Sequence, residues 1–117
     1  MRVQDEKQSK QLRWLGDSLD AVMGFSDEAK RSVGHQLSMV QVGLDPLDWK
    51  PMEIVGSGTK EIRIRIETGY RVLYVAKFND AVYVLHAFVK KTQKTRKKDI
   101  DLAAGRYKAL MKERNKK

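Results

Sequence analysis

Glu61, Arg63, Arg71, Lys77, His86 and Lys90 are the residues whose types could do chemistry together. They fall on three successive segments rich in Ile, Val, Tyr and Phe, residues 60–67, 70–78 and 81–89, separated by Thr68-Gly69 and Asn79-Asp80. Segments of that composition joined by connections that tight form an antiparallel meander. The meander brings the six side chains into one part of the molecule, on faces that depend on register. Taken singly, each reads as part of a solvated sheet face with cross-strand ion pairs such as Glu61 with Arg71. Taken together, the cations repel one another unless an anion neutralises them, and a phosphate, which arginine grips bidentately, does so.

The stretch that follows strengthens that reading. Phe88, Lys90, Lys91, Lys94, Arg96, Lys97 and Lys98 place an aromatic beside a basic run where strand gives way to helix. Phe88 there either stacks on a base or fills the core. His86 is either a hydrogen-bonded structural histidine or a general acid. The formal net charge of the 117 residues is +9. Residues 1–89 hold 12 Lys+Arg against 12 Asp+Glu, whereas residues 90–117 hold 12 against 3, so the whole excess lies in the last quarter. Such a concentration is the footprint of a polyanionic partner, with nucleic acid ahead of an anionic membrane surface.

Other chemistries find less support. With no cysteine and only His35 and His86, there is no thiolate nucleophile and little to build a zinc site from, so no cofactor or metal is expected. Gly56-Ser57-Gly58 lacks the spacing and the lysine of a P-loop. No apolar run approaches the ~20 residues that span a bilayer, and the N-terminus shows no apolar signal region, so the expected location is the cytoplasm.

The elements that must position these residues read as one α+β domain over residues 12–114, with flexible ends at 1–11 and 115–117. Residues 11–15 suggest a short strand and residues 16–24 a turn or two of helix capped by Asp17 or Ser18. Ser26 is a good N-cap, Asp27 and Glu28 suit the positive end of a helix, and Ala29, Val33, Leu37, Val40 and Leu44 recur at helical spacing up to Gly43. Residues 45–51, with Pro46 and Pro51 around Trp49, form a connection. In the third strand strict alternation sets Tyr83, Leu85, Ala87 and Val89 on one face and Val82, Val84, His86, Phe88 and Lys90 on the other. A final helix carries Ile100, Ala103, Ala104, Tyr107, Leu110 and Met111 inward and Arg106, Lys108, Lys112 and Arg114 outward, with Thr95 as its N-cap. The expected architecture is a three-strand meander plus a short N-terminal strand, with the helices packed on one side of a small antiparallel sheet.

These residues resemble the RelE/ParE toxin superfamily, and within it the phage-derived Gp49-like or HigB-like branch. The similarity runs through WLGDSL at 14–19, GLDPLDWKPM at 43–52, EIRI at 61–64, YRVLY at 70–74, LHAFVKKTQKT at 85–95 and DIDLA at 99–103. It covers roughly residues 12–111 in order; a departure is Arg96, where similar sequences commonly place proline. The resemblance implies a RelE-like fold and the toxin of a type II toxin–antitoxin pair. Such toxins enter the 30S A site of the ribosome and cleave mRNA without a metal, the 2′-hydroxyl attacking the adjacent phosphate. By position Arg63 and Arg71 would clamp the phosphate, Lys77, Lys90 and Lys91 would add positive field, and His86 and Glu61 would be candidates for proton transfer. Phe88, Lys91, Lys94, Arg96, Lys97 and Lys98 would bind RNA, the basic last helix holding ribosomal RNA through salt-sensitive contacts. The implied partner is an antitoxin, usually a small helix-turn-helix protein, through which alone operator DNA would be bound. Two rivals remain: a ParE-like gyrase inhibitor that cleaves nothing, and a non-catalytic RNA-binding or ribosome-binding module.

Overall fold

Runs rich in Ile, Val, Leu and Tyr form the centre of the sheet. The computed structural model describes residues 9–116. Strands β3 (Thr59–Ile64), β4 (Tyr70–Val75) and β5 (Ala81–Val89) form the expected antiparallel meander. Two further strands flank it, β1 (Gln11–Trp14) beside β5 and β2 (Trp49–Pro51) beside β3, giving the order β1-β5-β4-β3-β2. β1 runs parallel to β5, so the sheet is mixed rather than wholly antiparallel. β2 lies in the proline-flanked stretch read as a plain connection; its Pro51 is tolerated because the strand is an edge.

The helices cover both faces, which corrects the one-sided packing expected. Helix α1 (Ser18–Met23) and helix α2 (Asp27–Gln41) close one face, where Val22, Phe25, Ala29, Val33 and Leu37 pack with Ile62, Ile64, Val72, Tyr74, Val82 and Val84. Helix α3 (Lys97–Arg114) crosses the other, burying Ala103 and Leu110 against Leu73, Val75, Tyr83 and Leu85. Ser26 caps α2 as expected, its Oγ accepting the Ala29 N–H at 3.2 Å. Residues 1–8 and Lys117 of the expected loose ends lie outside the described residues. Lys10 and Gln11 are held: the Lys10 N–H donates to the Gln41 carbonyl, and Gln11 pairs with Ala81.

A bulge in β5 sets the geometry of everything downstream. Val84 opposes Tyr74 while His86 opposes Leu73, so Leu85 is the extra residue with no opposite number. Leu85 and His86 therefore both face α3, and the alternation restarts one residue out of phase. Ala87 joins the α2 face, Phe88 the α3 face. The strictly alternating assignment, with His86 opposite Leu85, is thereby overturned.

Arg106 of α3 secures the bulge. Its Nη1 donates to the Leu85 carbonyl at 2.9 Å and its Nη2 to Asp17 Oδ1 at 2.8 Å. Arg106 is thus turned back onto the sheet rather than outward, and so is Arg114, which bonds Asp80 and lies 3.9 Å from the Phe78 ring centre. The hydrogen bond and charge of Arg106 hold the Asp17 carboxyl below its ordinary 3.8. Arg106→Met is expected to cost about 1–3 kcal/mol by stranding the bulge carbonyl, measured by urea unfolding. A depressed carboxylate stabilises above its unfolded pKa and ceases to do so as pH falls through its folded one. The gap between wild type and variant should therefore narrow below pH 3.8.

Candidate functional site

Where β3, β4 and β5 run out toward the start of α3, their charged side chains line a cleft. Its walls carry Lys50, Arg63, Arg71, Lys90, Lys91, Lys94 and Arg96, seven cations against the two carboxylates of Glu61 and Asp99. Both carboxylates are buried, 1% and 5% exposed, so the exposed charges of the cleft are all positive.

Glu61 is the centre of the arrangement. Arg63 stands directly across the β3–β4 ladder from Arg71, and Glu61, two residues before Arg63, projects to the same side. One carboxylate oxygen, Oε1, lies 3.8 Å from the Nε of each arginine. The other, Oε2, accepts the Thr95 hydroxyl at 2.6 Å. Arg71 is itself buried, and its Nη1 donates to the Tyr70 carbonyl at 3.0 Å. Burial pushes its guanidinium pKa down; Glu61 opposes that fall, and Arg63 and Arg65 add to it. Arg63, whose side chain is 29% exposed, is the more open of the two. Two guanidinium groups on one buried carboxylate leave an uncompensated positive charge, which an anion at the mouth would satisfy.

His86 lies beside the cleft rather than on its lining. Its Nε2 pairs with Asp99 Oδ1 at 2.8 Å, and its ring stacks on Phe88 with centres 5.2 Å apart. The buried Nδ1 has no hydrogen-bond partner. Arg96 approaches the other Asp99 oxygen at 3.5 Å, so Asp99 ties β5 and the basic segment to the first turn of α3. Phe88 lines the cleft.

The remaining expected site residues separate clearly. Arg63, Arg71, Glu61, Lys90, Lys91, Lys94 and Arg96 converge on the cleft. Lys77 does not: it sits at the opposite end of the sheet, where its Nζ donates to the Tyr107 hydroxyl at 3.0 Å. Lys97 and Lys98 are exposed on the first turn of α3 outside the lining, and Lys97 pairs with Asp101 at 2.7 Å. Sequence reasoning missed Lys50, which stands opposite Glu61 across the β2–β3 ladder, because β2 is too short to show alternation. It also missed the roles of Thr95 and Asp99. Thr95 does not cap α3; the N-cap is Arg96, which makes no side-chain capping bond.

A family model described as phage-derived protein Gp49-like (DUF891) matches residues 20–108. The chain belongs to this Gp49-like family. The match takes in β2 to β5, α2 and the start of α3, and so every residue of the cleft. The family is associated with RelE-like toxins, and the α+β architecture of this Gp49-like chain, a five-strand mixed sheet with a C-terminal helix, is compatible with the RelE-like fold. No curated protein matches the sequence. Among the described residues of the Gp49-like chain, no group of three His, Asp or Glu side chains clusters as metal ligands would, and no helix is long and apolar enough to cross a membrane.

Proposed function

We propose that this Gp49-like chain is the toxin of a two-component toxin–antitoxin module, a RelE-type endoribonuclease that cuts messenger RNA in the ribosomal A site in the cytoplasm. The observation that carries the reading is the pair Arg63 and Arg71, facing each other across two strands and anchored on one buried carboxylate. In the reaction the 2′-oxygen attacks the adjacent phosphorus and the bond to the 5′-oxygen breaks. The 2′-hydroxyl proton is released and the departing oxygen gains one, leaving a 2′,3′-cyclic phosphate and a 5′-hydroxyl. The two arginines stabilise the charge that grows on the phosphorane, and Lys90 and Lys91 supply further field. Both carboxylates and His86 are already bonded within the fold. The lysines of the cleft and groups of the ribosome therefore stand beside Glu61 and His86 as candidates for the proton steps. The antitoxin would cover this cleft, and operator DNA would be reached only through it.

The test is to add the purified chain to ribosomes stalled on a defined message, map the ends by primer extension, and repeat the reaction with the message free. Cuts within the A-site codon, with 5′-hydroxyl ends and absent from free message, are the expected result. Intact message together with blocked supercoiling by gyrase would replace this reading with the gyrase-inhibitor one. Intact message with ribosome binding would leave a binding module.

A further inference from the structure

Thr95 has given up the role its position suggests. At the start of an 18-residue helix a threonine is expected to accept a backbone N–H, a cap worth roughly 1 kcal/mol. Here α3 begins on Arg96 with no side-chain cap, and the Thr95 hydroxyl instead donates to Glu61 Oε2 at 2.6 Å, across 34 residues of sequence. Glu61 is 1% exposed, and its second oxygen is the one that faces both arginines. The buried Nε of Arg63 has no hydrogen-bond partner, and that oxygen is the one ion-pair partner of Arg63 among the described residues. Rotation of the carboxylate about its last bond would carry Oε1 away from the arginines. Among the described residues, the Thr95 hydroxyl makes the one hydrogen bond to the Glu61 carboxylate, and it opposes this rotation.

We infer that Thr95 is a positioning residue for the phosphate site: through Glu61 it fixes the two guanidinium groups in the spacing that grips a phosphate. It acts at one remove, touching neither arginine. The same bond fastens the basic segment that carries Lys90, Lys91 and Lys94 to the sheet, so cations from strand and segment meet one anion in a fixed arrangement. The inference rests on the phosphate-gripping reading of the cleft but not on catalysis.

Thr95→Val, which keeps the shape and removes the donor, and Thr95→Ser, which restores it, provide the test on the whole chain. Two readouts are independent of turnover: the NMR resonances of the Arg63 and Arg71 Nε–H groups, and the affinity for inorganic phosphate. Thr95→Val is expected to shift both resonances and to weaken phosphate binding about tenfold, and Thr95→Ser to return both to wild type. Where message is cleaved, the valine variant should lose kcat by a similar factor with KM little changed. Unmoved resonances and unchanged phosphate affinity in Thr95→Val would overturn the inference, as would a serine variant that fails to restore them. A wild-type chain that cleaves nothing on the ribosome would sink the endoribonuclease reading, while resonances and phosphate affinity that still respond to Thr95 would uphold this one.

Discussion

Replacing Arg71 with lysine is expected to lower message cleavage on the order of a hundredfold while the protein stays folded. Lysine keeps the charge opposite Glu61 but is a single point, whereas the arginine faces the carboxylate with Nε, holds the Tyr70 carbonyl with Nη1 and keeps Nη2 for a phosphate. Alanine is the blunter choice. The Arg71 side chain is 7% exposed, not the open surface group that a charged sheet face suggests, so Arg71→Ala would remove packing and leave Glu61 short of a buried partner. Loss of activity in that variant would mix chemistry with damage to the fold. Steady-state cleavage of programmed ribosomes by Arg71→Lys, set beside its thermal midpoint, separates the two. Wild-type turnover in a folded Arg71→Lys protein would remove Arg71 from the phosphate clamp.

The second large effect concerns stability. Glu61→Ala is expected to destabilise the chain by about 3 kcal/mol, the lower end of the cost of stripping one partner from a buried charge pair. The lower end applies because Arg63 is partly open to water, and water relieves some of its repulsion with Arg71. The Thr95 hydroxyl would also lose its acceptor. Arg63→Ala should cost much less, since Arg71 and Thr95 would still compensate the carboxylate. Denaturant unfolding of the two variants measures both, and equal small losses would show that Glu61 does not hold the site together.

The meander is legible because each of its strands is a run of six or more residues rich in Ile, Val, Leu or Tyr and the connections between them are short. Residues 81–89 were placed to the residue. The edges were not, for different reasons. β2 has three residues, one of them proline, which is too few for a period to appear. β1 was recognised as a strand, but no tight turn joins it to β5, and only such a turn would have stated its direction. The cationic cleft was visible in composition, since clustered charge survives ignorance of register. Lys77 was misplaced because composition ignores distance: it lies two residues beyond the end of β4 and six from Arg71, roughly 20 Å away at the rise of an extended chain. Thr95 and Asp99 were visible as helix-start residues, and nothing local showed that their oxygens are directed at Glu61 and His86 instead.

The bulge at Leu85 gives β5 two reading frames. Before it, odd-numbered residues face α3; after it, even-numbered ones do. Were Leu85 to pair with Leu73 instead of bulging, with residues 81–84 kept in place, the strand would alternate without a break and every later side chain would point the other way. His86 and Phe88 would be driven into the layer beneath α2, and Ala87 would take the place beside Arg71. A half-step in one strand is therefore what allows the apolar half of β5 and its site-bearing half to belong to the same sheet.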